Sequence, residues 1–155
     1  MQLDPIDRKL LELLQDDASL SIAELAERAG LSPSPCWRRV QALERAGIIK
    51  KRVAILDRAQ LNVGVTVLVA IRTNQHNKDW LDRFAEAVRD IPEIVELYRM
   101  SGDIDYMLRV VVPDIAAYDD VYKRLIARIE LSDVSSSFAM EEIKYTTAVP
   151  LAYAR

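Results

Sequence analysis

The sequence predicts an α+β protein in two parts: an N-terminal helix-turn-helix domain of the winged type and a C-terminal ferredoxin-like βαββαβ domain. Three observations carry this. Two capped helical patterns are separated by Leu31 alone; Val63, Val65, Val67, Val69 and Ile71 alternate as a half-buried strand does; and the patterns after residue 62 follow the order strand, helix, strand, strand, helix, strand. The expected boundaries are 1–52 for the first domain, 53–61 for a linker strand and 62–155 for the second domain.

Asp4, Pro5 and Asp7 supply a cap, a proline at the first helical position and an acid in the first turn. Ile6, Leu10, Leu13 and Leu14 then recur at helical spacing to about Asp16. Ser21 to Glu24 reads as a capping box for a short second helix with Leu25, Ala26 and Ala29 on its apolar stripe and Gly30 as its left-handed stop. Ser32 caps a third helix that starts at Pro33, runs to about Ala46 and stops at Gly47. Cys36, Val40 and Leu43 face inward on it, and Ser34, Arg38, Gln41 and Arg45 form the opposite face.

Residues 53 to 57 read as an extended connection. Beyond the Val63–Ile71 strand, Asn77 to Asp90 is an amphipathic helix bearing Leu81, Phe84, Ala85 and Val88, stopped by Pro92. Ile94–Met100 and Ile104–Val112 are strands joined by the turn Ser101-Gly102-Asp103. A helix opened by Pro113-Asp114 carries Ile115, Tyr118, Tyr122, Leu125, Ile126 and Ile129 on its buried side, and Val134–Tyr145 is the last strand. The strands are apolar on both sides, which leads us to expect a second subunit over the uncovered sheet face, hence a homodimer at least.

With 155 residues, 50% hydrophobic and 29% charged, the chain fits a soluble globular protein. The lone Cys36 forms no intrachain disulfide, no signal-peptide pattern opens the chain and no apolar run reaches membrane-spanning length, so a cytoplasmic, nucleoid-associated protein without a membrane partner is expected. The net charge of −3 is unevenly spread. Residues 21–56 carry seven basic and three acidic groups, a net of +4, whereas 57–155 carry twelve basic and sixteen acidic, a net of −4. The halves therefore have different partners.

The outward face of the third helix has the chemistry for double-stranded DNA. Arg reaches guanine bidentately, Gln reaches adenine and Ser reaches either, while Lys50-Lys51-Arg52 would meet phosphates beside the groove. The candidate DNA-binding residues are Ser32, Ser34, Pro35, Trp37, Arg38, Arg39, Gln41, Arg45, Lys50, Lys51 and Arg52. Trp37, at the edge of that face, could touch DNA sugars or pack on a neighbouring helix, and Cys36 reads as a small core hydrophobe. His76 stands in a polar loop, no carboxylate or cysteine cluster has metal-ligand spacing, and no glycine motif cradles phosphate. Neither an enzyme nor a cofactor is expected.

Several stretches, in order and spacing, resemble the Lrp/AsnC (feast/famine) regulators over essentially the whole chain. They are Leu3-Asp4 through Asp7-Arg8, residues 31–36, Arg39-Val40 with Leu43-Glu44, Gly47-Ile48-Ile49, residues 101–106 and residues 140–144. The resemblance implies dimers that associate to tetramers or octamers and an amino-acid effector bound in the C-terminal domain at contacts between dimers. It places effector contacts at Met100, Gly102, Asp103, Asp105 and Tyr106, and at Ser135, Ser136, Ser137, Phe138 and Ala139. A glycine loop offers N–H groups to a carboxylate, and Asp103 or Asp105 could take an ammonium; equally, Gly102-Asp103 could serve only as a turn. Residues 35–39, Trp80 and residues 132–141 resemble the cysteine-responsive branch of the family, which implies L-cysteine as effector and control of cysteine catabolism or detoxification. Response to another amino acid such as leucine, an architectural DNA-binding protein without a ligand, and a stand-alone metabolic sensor are the competing readings.

Overall fold

The computed structural model describes residues 2–154. It divides into two compact units, one formed by the chain up to Ile55 together with the stretch from Lys144 onward, the other by Leu56–Ile143.

In the first unit, α1 spans Pro5–Asp16, α2 Ile22–Ala29 and α3 Pro33–Arg45. Local chemistry sets each start. Asp4 accepts from the Asp7 N–H at 2.8 Å while Asp7 accepts from the Asp4 N–H at 3.2 Å, and Ser21 and Glu24 make the same reciprocal pair at α2. Gly30 ends α2 at φ 70°, a conformation that would strain any residue with a Cβ. At α3 the expected serine cap is absent: Ser32 holds the capping position, but its hydroxyl makes no capping bond. The third helical residue is Pro35, which has no N–H to donate to it.

Leu10, Leu20, Leu25, Ala26, Cys36 and Val40 close one core, and Leu3, Leu11 and Leu43 a second. Leu151 and Ala154 from the chain's far end pack against the second core. The Gln15 side chain exchanges hydrogen bonds with the Val149 backbone at 2.7 and 3.3 Å, and Arg8 donates to the Ala154 carbonyl at 3.0 Å. Residues from 144 on, expected in the C-terminal domain, thus complete the N-terminal one.

The second unit has β1 at Val65–Arg72, α4 at Lys78–Arg89, β2 at Ile94–Arg99, β3 at Tyr106–Val112, α5 at Ile115–Ile126 and β4 at Asp133–Phe138. The strands form one antiparallel sheet in the order β2-β3-β1-β4, as the βαββαβ pattern requires. One sheet face, with Val67, Val69, Ile71, Leu108 and Val110, packs on Trp80, Phe84, Val121 and Leu125 of the two helices. Trp80, Phe84 and Tyr106 meet at 5.0 to 5.7 Å between ring centroids in that core, Trp80 stacked on Phe84 and Tyr106 edge-on to Phe84. The opposite face carries exposed Leu68 and Tyr98, with the Arg109–Glu96 pair at 2.6 Å between them in the sheet.

Three further expectations are corrected. The linker 53–61 forms no strand: it runs exposed to Asp57 and then turns, with Val63 donating to the Arg58 carbonyl at 2.9 Å. β4 stops at Phe138 rather than Tyr145, because its partner β1 begins at Val65 and offers one last acceptor, the Thr66 carbonyl, to Ala139. Ile115 and Ile126 lie on the exposed side of α5. No helix among the described residues is long and apolar enough to cross a membrane.

Candidate DNA-reading surface and effector cavities

α3 is anchored by Cys36, Val40 and Leu43, all fully buried, which turns Ser34, Trp37, Arg38 and Arg45 outward. Burial pushes the Cys36 thiol up, away from the thiolate form. Trp37 is 51% exposed, so it does not pack into the core. Ser32, Lys50, Lys51 and Arg52 are exposed and Pro35 is half-buried. Among the described residues Arg38, Lys50 and Lys51 have no ion-pair partner, which leaves their charge to an external anion.

Three of the expected residues, Arg39, Gln41 and Arg52, are held by side chains inside the unit. Nη1 of Arg39 lies 2.7 Å from Asp4 Oδ2 and 2.8 Å from Asp7 Oδ1, so the side chain bolts α3 to the start of α1 rather than joining the free cations. The bonds to Asp4 and then Asp7 hold the Arg39 proton more firmly than usual. Hydrogen bonds from the Asp7 backbone and then Arg39 keep the Asp4 carboxyl below its ordinary range. Gln41, half-buried, donates from its amide to Glu44 Oε2 at 2.8 Å, while Glu44 Oε1 accepts from Arg52 at 3.0 Å. Glu44 thus holds a base-reading candidate and a phosphate-contact candidate at once.

In the second unit, the ten residues proposed for the effector fall into three places. Met100, Asp105 and Tyr106 line a cavity of about 280 Å³ with His76, Asn77 and Lys78 from the start of α4, Leu81 and Arg99. Gly102, at φ 111°, and Asp103 form the turn above it. The Asp103 carbonyl accepts from Arg72 Nε at 2.7 Å, and Asp105 Oδ2 accepts from the Thr73 N–H at 2.8 Å. Ser136 and Phe138 line a separate, mostly apolar cavity of about 340 Å³ with Ile115, Tyr118, Asp119, Tyr122 and Val134. There Tyr118 and Ser136 share a hydrogen bond, and the Tyr118 ring meets Phe138 edge-on at 5.4 Å. Burial raises the Tyr118 phenol, against the bond to Ser136.

Ser135 and Ser137 are in neither cavity. They pair with Ala70 and Leu68 in β1, so they project from the sheet face that no helix covers, while Ala139 closes the end of the ladder. Sequence reasoning missed His76, Lys78 and Arg99. They come from a loop, a helix start and a strand end that only folding brings to Asp105.

A family model described as the Lrp/AsnC ligand binding domain matches residues 66–149, and a winged helix-turn-helix DNA-binding model matches residues 3–50. The chain is 49% identical over 150 residues to a glutamate uptake regulatory protein of Zymomonas mobilis, covering 97% of this chain and 92% of that one. It is also 49% identical over 150 residues to the DNA-binding transcriptional activator DecR of Escherichia coli K12, covering 96% and 99%. Among solved structures, an AsnC family transcriptional regulator from Agrobacterium tumefaciens superposes with a TM-score of 0.95 at 60% identity, over 97% of this chain and 99% of that one. The regulator NMB0573 of Neisseria meningitidis, solved as an L-Met complex, does so with a TM-score of 0.92 at 37% identity, over 97% of each chain. These relatives are regulators, and so is this chain, not an enzyme. A DNA-binding helix-turn-helix and an amino-acid-binding α+β unit in one chain make it a member of the Lrp/AsnC family of transcription regulators.

Proposed function

We propose that this regulator reads operator DNA with the outward face of α3 and answers to L-cysteine, controlling genes of cysteine catabolism or detoxification. One observation carries the sensing part: the Met100–Tyr106 loop borders a cavity that pairs a carboxylate, Asp105, with the cations Lys78 and Arg99. An α-amino acid presents the opposite charges, an ammonium and a carboxylate, at one end. The likeness to DecR and the match of residues 132–141 to the cysteine-responsive branch support cysteine, and the L-Met complex of the Neisseria regulator supports an amino-acid effector.

The proposed assembly is a homodimer formed over the sheet face bearing Leu68 and Tyr98, associating to tetramers or octamers in the cytoplasm on the nucleoid. Effector binding shifts the assembly, and with it the spacing of the α3 helices along DNA, only if the two arrangements bind the amino acid unequally. The test is a gel shift on the DNA upstream of the chain's own gene and its neighbours, at fixed salt, with and without L-cysteine. A cysteine-dependent change in affinity or mobility is expected. DNA binding indifferent to all twenty amino acids would overturn the sensing part and leave an architectural protein.

A further inference from the structure

We infer that the cavity beside the Met100–Tyr106 loop selects an α-amino acid that carries a second anionic group, a carboxylate or an ionised thiol, over aliphatic amino acids. The inference rests on the reading of that cavity as the effector site and concerns which side chain it admits.

The argument is a charge balance. Lys78 and Arg99 line the cavity as cations and His76 adds a further hydrogen-bonding ring, against Asp105 as the one acid in the lining. Neither Lys78 nor Arg99 has an ion-pair partner among the described residues, so both charges are open to a ligand. Asp105 spends Oδ2 on the Thr73 N–H, which leaves Oδ1 for a ligand ammonium. The ligand's α-carboxylate then satisfies one of the two cations. A leucine-like side chain offers the other cation no partner, whereas a second anion pairs with it.

The second cavity of the unit sharpens the contrast. Its walls are Ile115, Tyr118, Tyr122, Val134 and Phe138, with Asp119 the only charged side chain, so hydrocarbon is better served there. The volume of the charged cavity, about 280 Å³, lies just under the roughly 300–1,000 Å³ of sites for drug-sized ligands, in keeping with a single amino acid.

Titration calorimetry on the full chain tests this with matched pairs: L-glutamate against L-glutamine, L-aspartate against L-asparagine, and L-cysteine against L-serine, with L-leucine alongside. At least one anionic member should bind about tenfold or more tighter than its neutral partner, the scale of a charge-assisted hydrogen bond. The pair that shows it tells carboxylate from thiolate. In Lys78→Gln, Arg99→Gln and the double variant, all at exposed positions, that ratio should fall toward one. Leucine or the neutral partners binding as tightly, or a ratio that survives in the double variant, would overturn the selection while leaving the effector site in place. Absence of heat from every amino acid would overturn the effector reading itself and this inference with it.

Discussion

Nη1 of Arg39 donates to Oδ1 of Asp7 at 2.8 Å across 32 residues of sequence, and Asp7 is only 4% exposed. The same nitrogen reaches Asp4, so one atom ties α3 to the capping box of α1. Removing one partner of such a pair costs more than the pair is worth, because the remaining charge stays out of water.

Arg39→Ala should therefore destabilise the first unit by about 1–3 kcal/mol, below the full value for a buried pair because Arg39 is itself a third exposed. Arg39→Lys should recover part of the loss, since a single nitrogen makes both contacts. Urea unfolding followed by fluorescence of Trp37, on the same helix, measures this. An unchanged midpoint in Arg39→Ala would mean that the pair contributes nothing.

Acid should weaken the same unit. The Asp4 carboxyl is held low by the Asp7 backbone and then Arg39, and the Glu24 carboxyl by the Ser21 hydroxyl and then its backbone. A depressed folded-state pKa gives stability that is present above the unfolded value and lost as pH falls through the folded one. With ordinary values of 3.8 and 4.5, the loss should begin below about pH 4.5 and continue under pH 3.8. Thermal unfolding between pH 6 and pH 3 reads it, and Asp4→Asn should flatten the profile.

On DNA, Arg38→Ala and Gln41→Ala should each cost about 1–3 kcal/mol on a specific site and relax discrimination at one base position. Lys50→Ala and Lys51→Ala should weaken every sequence alike and lower the slope of log affinity against log salt by about 0.9 each. Anisotropy titrations on specific and scrambled duplexes at three salt concentrations separate the two behaviours.

Glu44→Gln should raise affinity for scrambled DNA more than for the specific site. Glu44 holds the Gln41 amide at 2.8 Å and Arg52 at 3.0 Å, and an acid at that position competes with phosphate for Arg52. Equal effects on both duplexes would show that the clamp does not bear on specificity.

What the sequence disclosed followed from how local each determinant is. The Ser21–Glu24 box and the Gly30 stop are written within a few residues and are where the sequence put them, and the Val63–Ile71 alternation is too, except that β1 starts at Val65. β4 ends short of the expected Tyr145: apolar residues (Met140, Ile143, Tyr145) continue past Phe138 in the sequence, while the strand's length is set by where β1 begins. The tail was misplaced for the same kind of reason: nothing within residues 144–154 announces that Leu3, Leu11 and Leu43 wait for Leu151. The effector candidates scattered because Ser135, Ser136 and Ser137 were treated together. The period of two that the strand itself shows sends Ser136 to the helix side and its neighbours to the other. His76, Lys78 and Arg99 had no local signal at all, since a cavity built from three segments exists only after folding.

The return of the tail to the first unit bears on how the protein is made. A ribosome delivers α1, α2 and α3 early, yet Leu151 and the Val149 backbone that seal their core emerge about a hundred residues later, at 5–20 residues per second a delay of roughly 5–20 s. Through that interval the nascent helices expose Leu3, Leu11 and Leu43 to whatever else is in reach, so a message truncated just after residue 143 would release a complete second unit attached to an unsealed first one.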